Sequence, residues 1–130
     1  MKRFYFCIAI LFLFVTQSCQ KEIEYETPED KLTGKFWYLE KKTVGQQSYN
    51  YSGTTTFSFL LTKSTKAYRD SDGIEGNYTI SEQLPTTELK IQSGNRQIDA
   101  YLVSLLEKDQ IVLTYTKNNL LHTFYFSTRR

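Results

Sequence analysis

From residue 35 onward the chain is a run of short segments in which apolar and polar residues alternate. Period-2 alternation over a few residues is the signature of a half-buried strand. Residues 35–44, 54–63, 66–70, 75–81, 87–93, 97–107, 110–117 and 120–128 make eight such segments. Phe57, Phe59 and Leu61 share one face of their segment, as do Leu89 and Ile91, then Ile111, Leu113 and Tyr115, and finally His122, Phe124 and Phe126. The connections are short and rich in turn residues, such as Ser71-Asp72-Gly73-Ile74 and Asn118-Asn119. Parallel neighbours need crossovers of a dozen or more residues, usually helical. None is available, so each strand is expected to pair antiparallel with its sequence neighbours.

An open meander of eight strands would keep two raw edges that invite aggregation. Closure removes them. The expected fold is therefore all-β, a small eight-stranded antiparallel up-and-down meander barrel. Barrels of this size have interiors that side chains fill or that hold one small ligand. No segment keeps a helical stripe for three turns. A short helical turn is expected over residues 28–33, with Pro28 near its start and Gly34 just past its end. The stretch 45–53 (GQQSYNYSG) is the longest gap, either a loop over one barrel mouth or a poor strand. Its Tyr49 and Tyr51 either contact a ligand or pack on the outside.

Composition narrows the chemistry. Aromatic residues are 15% of the chain, with 10 Tyr and 9 Phe, which suits β-structure. One His and two Cys are too little raw material for a metal centre or a Cys/His catalytic site. His122 lies between apolar neighbours and reads as a structural histidine. Asp70 and Asp72 beside Gly73 read as a turn, because an EF-hand calcium loop needs further oxygen ligands and a Glu at its twelfth position. No enzyme activity, catalytic residue, cofactor or metal is expected.

The N-terminus carries a different signal. Met1-Lys2-Arg3 is followed by an apolar run from Phe4 to Val15 and then by Thr16-Gln17-Ser18-Cys19. A basic start, a short apolar run and small polar residues make a secretory signal. The run is shorter than the roughly 20 apolar residues of a membrane-spanning helix. Cys19 just beyond it, preceded by Ser18, resembles a bacterial lipoprotein signal, although Thr16 stands where that family usually has Leu. The resemblance implies removal of residues 1–18 and acylation of Cys19, with membrane anchoring through the acyl chains. Cys7 would leave with the signal, so the mature domain would have no disulfide.

Residues 19–30 then form a short acidic tether with a Pro at 28. Its Gln20-Lys21-Glu22 also resembles the acidic export signal of some Gram-negative surface lipoproteins. Without Lys2 and Arg3 the chain has 14 basic residues against 14 acidic ones. A neutral chain with no basic stripe is not expected to bind nucleic acid.

Residues 31–130 are left for the barrel. There, Leu32-Thr33-Gly34-Lys35-Phe36-Trp37 and the Gly-x-Tyr of Glu75-Gly76-Asn77-Tyr78-Thr79-Ile80 resemble the lipocalin-like domains of bacterial cell-envelope lipoproteins. In that family the Trp stands two residues after the Gly. Here Phe36 holds that place and Trp37 follows, so either ring could plug the barrel base. Arg129 or Arg130 could serve as the late Arg that lipocalins set against the Trp.

The resemblance implies a small apolar ligand held in the barrel or at its mouth. The candidate interior residues are Phe36, Trp37, Phe57, Phe59, Tyr78, Tyr115, Phe124 and Phe126, with Tyr49 and Tyr51 at the mouth. The alternative is a filled core and an envelope protein partner engaged through loops or the outer wall. The expected location is the bacterial cell envelope, at the outer membrane, with the leaflet face left open.

Overall fold

The computed structural model describes residues 25–54, 56–83, 85–94 and 96–128. The apolar leader, Cys19, residues 20–24 of the tether, and Arg129 and Arg130 lie outside the described residues. One helix, α1 (Pro28–Leu32), precedes nine strands. These are β1 (Phe36–Val44), β2 (Gln47–Asn50), β3 (Ser58–Thr62), β4 (Ala67–Asp70), β5 (Glu75–Gln83), β6 (Thr86–Ser93), β7 (Arg96–Leu106), β8 (Gln110–Lys117) and β9 (Leu120–Ser127).

All pairings are antiparallel, and β1 closes on β9 from Tyr38↔Ser127 and Leu39↔Phe126 to Val44↔His122. Eight strands thus form the closed up-and-down barrel that the short connections required. The ninth, β2, lies in the 45–53 stretch, so that stretch holds a strand and not only a loop. It folds back on β1 through Lys41↔Asn50 to Val44↔Gln47. The turn is made by Gly45 at φ 58°, a left-handed conformation that costs glycine little. One edge of β1 is therefore shared: β3 takes residues 36–38 and β2 takes residues 41–44.

Alternation sets the core. Trp37, Leu39, Phe59, Leu61, Tyr68, Tyr78, Leu89, Ile91, Ile111, Leu113 and Phe126 point inward and are buried, with Leu32 joining them from α1. Gly76 faces the same way because nothing larger fits: a Cβ there would lie 1.9 Å from the Gln92 carbonyl oxygen. The backbones of β5 and β6 approach this closely next to an irregularity in β6–β7 pairing at Ile91/Gln92. Two further register shifts leave Glu40 and Ser104 as the extra residues of β1 and β7. Helix α1 and the turns at 63–66 and 107–109 gather at one end, the base. The β1–β2 hairpin and the turns at 71–74 and 118–119 gather at the other, the mouth.

Candidate functional site

The base is built around Trp37. Thr27 caps α1 by a reciprocal capping box with Asp30, and Pro28 opens the helix. This places the Leu32 carbonyl over the barrel, where it accepts a hydrogen bond of 2.8 Å from Trp37 Nε1. Trp37 is fully buried, whereas Phe36 is 47% exposed and lies outside, its ring tilted against that of Tyr38 at 6.3 Å. The base plug is therefore Trp37, and the candidate interior position of Phe36 is corrected. The Gly34 N–H bonds the Leu61 carbonyl at 2.9 Å, which fixes the register that turns Trp37 and Leu39 inward. Tyr78 is also inside, and its hydroxyl donates to Glu29 Oε1 at 2.8 Å. Lys66 bonds the same carboxylate oxygen and holds the Glu29 carboxyl below its ordinary range.

Above the base the barrel is packed with rings. Phe59 meets Phe126 edge-on with centroids 5.0 Å apart, and Phe59 stacks on Tyr68 at 6.1 Å. The interior void lined by Phe57, Phe59, Tyr68, Ile91, Tyr101 and Phe126 measures about 20 Å³. Small-molecule pockets run to about 300–1,000 Å³. The interior candidates Trp37, Phe59, Tyr78 and Phe126 are thus core, with Phe57 packed against it, and Phe57, Phe59 and Phe126 themselves line this small void.

Toward the mouth, Tyr115 stacks on His122 at 4.6 Å and on Phe124 at 5.7 Å, and Tyr101 packs edge-on against both Tyr115 and Phe124. Lys42 Nζ lies 5.2 Å over the Phe124 ring. Tyr115 and Phe124 are therefore inside but half-buried. Tyr51 packs against the core, while Tyr49 is exposed and donates to Gln47 Oε1, so the two tyrosines do not form one mouth surface.

Below these rings lie polar groups; the turn reading of Asp70 holds, since its Oδ1 accepts from the Asp72 and Ile74 N–H groups, but Asp99 was not singled out in the sequence. Asp70 pairs with Phe59 and Asp99 with Ile91, so both carboxylates share the inward face. The Tyr68 hydroxyl donates to Asp70 Oδ2 at 2.6 Å, and Tyr101 bonds Asp99. Burial pushes the Asp99 carboxyl above its ordinary value, and the charge of Asp70 adds to the shift against the bond from Tyr101. Burial also raises Tyr101 and Tyr68. His122 Nδ1 is buried without a hydrogen-bond partner. Period-2 counting along 97–107 puts Asp99, Tyr101 and Val103 on one face, which was the available signal.

The concave surfaces are on the outside. A groove of about 540 Å³ runs between Ser52-Gly53 and the turn 107–110, past Glu40 and Ser127. A second, of about 320 Å³, continues along Leu105, Val112 and Tyr125 and shares Glu40, Gln110 and Ser127 with the first. The bulge in β1 turns Glu40 toward them, and Ser127 Oγ donates to Glu40 Oε1 at 2.7 Å. Among the described residues, no three His, Cys, Asp or Glu side chains converge to hold a metal ion, and no helix is long and apolar enough to cross a membrane.

No family model, no curated protein and no solved structure matches this chain.

Proposed function

We propose that the protein is a membrane-tethered lipoprotein of the bacterial cell envelope, a filled barrel on the lipocalin plan that engages an envelope protein through its outer wall. It carries no cargo inside and catalyses no reaction. The observation that supports this reading is the contrast in free space, about 20 Å³ within the barrel against about 540 Å³ in the outer groove. The anchor rests on the sequence: the basic start, the apolar run and Cys19 after Ser18. Acyl chains stabilise membrane association by about 0.8 kcal/mol per buried methylene, so more than one chain on Cys19 gives a lasting attachment.

Membrane fractionation of the full chain against Cys19→Ala tests the tether. The parent is expected in the membrane pellet and the variant in the soluble fraction. Equal membrane retention would contradict acyl anchoring. Intact mass of the purified protein adds a direct check, since processing removes residues 1–18 and adds acyl mass to Cys19.

A further inference from the structure

We infer that the outer wall of β7–β9 pairs with the same wall of a second copy of this chain, face to face about a two-fold axis that runs from base to mouth. This goes beyond the reading above and rests on its tether for the orientation of the two copies. The wall is set apart by its lack of charge. Residues 100–106, 110–116 and 120–127 contain no Asp, Glu, Lys or Arg. The outer face of β4–β6 is built otherwise, with Arg69 opposite Glu75 and Glu88 paired with Lys90. Two cross-strand rows make the centre of the neutral wall: Leu102, Thr114 and Thr123, then Leu105, Val112 and Tyr125. Leu102, Leu105 and Tyr125 are 47%, 39% and 37% exposed, and Leu121, one row nearer the mouth, is 53% exposed. Half-exposed aliphatic side chains gathered on one face mark an interaction surface.

A two-fold axis requires a neutral centre. Residues beside the axis meet their own counterparts, so any charge there would face its like. The rims of the wall differ from one another. Lys41 follows Tyr125 across β1, whereas Glu88 and Lys90 lie across β6 from Leu102 and Ala100. An axis from base to mouth lays the β9 side of one copy over the β7 side of the other. The Lys41 rim then meets the Glu88–Lys90 rim and not a second Lys41. The polar atoms at the centre are already served. The Thr114 and Ser104 hydroxyls bond each other at 3.1 Å, and Thr114 Oγ1 lies 3.5 Å from the Leu102 carbonyl. They can leave water without losing these partners. The tether supplies the orientation. It enters at α1 on the base, and the eight residues from Cys19 to Glu26 span at most about 28 Å. Copies anchored in one leaflet therefore stand with their bases toward the bilayer and their walls side by side, which raises the effective concentration of each for the other.

Three strands at about 4.8 Å spacing make a face about 15 Å wide, narrow for a lasting dimer. Self-association on the order of 10 µM is expected. The test is sedimentation equilibrium of the mature full chain in density-matched detergent, with micelles in excess over protein. The mass is expected to rise toward that of a dimer across this range. Thr114→Asp and Thr114→Lys, each alone, are expected to weaken association about 10-fold or more, because each sets like charges together near the axis. An equimolar mixture of the two is expected to regain most of the parent's association, a recovery that mere loss of stability would not give. Leu102→Asp, a second break in the wall, is expected to weaken association as well, and Ser81→Asp on β5 to leave it unchanged.

A parent that stays monomeric up to about 100 µM would overturn the proposal and leave the wall to a lipid surface or a different protein. Parent-like association in Thr114→Asp and Leu102→Asp, with melting temperatures intact, would overturn it too. Fractionation and mass separate the two readings. A dimer found in the soluble fraction keeps the wall and condemns the tether, and a membrane-bound monomer condemns the wall alone.

Discussion

The base and the mouth of this barrel are filled by different chemistry. At the base, Leu32, Trp37, Leu61, Leu89 and Ile111 are fully buried, and the Trp37 indole N–H is satisfied by the Leu32 carbonyl. At the mouth, half-buried Tyr101, Tyr115 and Phe124 surround carboxylates and a histidine nitrogen with no partner. Apolar burial stabilises roughly in proportion to area, whereas buried charge without full compensation costs free energy. The base therefore carries the stability of the fold, while the mouth is closed by rings at some electrostatic cost.

Trp37→Ala probes that contrast hardest. It should destabilise the domain by about 3–5 kcal/mol in urea denaturation, the usual cost of emptying a large aromatic site. Phe124→Ala, at the half-buried mouth, should cost clearly less. Equal losses at the two positions would erase the distinction. Gly76→Ala comes next. Its Cβ would collide with the Gln92 carbonyl oxygen, so a loss of about 1–3 kcal/mol is expected from the same measurement.

The two ends respond to pH with opposite sign. At the base the Asp30 carboxyl is held down to about 2 by Lys63, with further bonds from Thr27. Its folded value lies below the unfolded one, so its stabilisation is present above pH about 4 and fades as the pH falls toward 2. At the mouth Asp99 is raised, so its folded value lies above the unfolded one. Its charge therefore costs stability as the pH rises from its unfolded value through its folded value. Asp99→Asn should remove that cost and raise the melting temperature at neutral pH, on the order of 1 kcal/mol or less. Asp30→Asn should instead lower it near neutrality and flatten the acid limb of the stability curve. The smallest effect is expected at Phe36→Ala, within about 0.5 kcal/mol of the parent, because the ring lies outside. A loss approaching that of Trp37→Ala would reopen which ring plugs the base.

The closed barrel was legible because alternation and short connections leave antiparallel neighbours no other arrangement. The inward positions of Phe59, Tyr78 and Phe126 followed from the same period. Trp37 was not decided by pattern, since adjacent Phe36 and Trp37 are both large and apolar, and only the pairing register of β1 selects a face. Strand β2 was half-hidden because Gln47, Ser48, Tyr49 and Asn50 are all exposed and show no apolar alternation. Asp99 escaped notice inside a segment that is mostly apolar. The groove was invisible for a further reason: the extra residues Glu40 and Ser104 break the alternation from which faces are counted. Residue counting also could not tell a lined cavity from a filled one, because the same aromatic side chains serve for both.

In the proposed function the barrel is filled and meets its partner on the outside. Titration of the mature protein with N-phenyl-1-naphthylamine, a dye that fluoresces in apolar cavities, tests it most directly. The expected result is no saturable 1:1 fluorescence gain in the parent and the appearance of one in Trp37→Ala or a Phe59→Ala barrel that still folds. Saturable 1:1 binding by the parent, abolished by Phe57→Trp, would place a ligand inside and contradict the account.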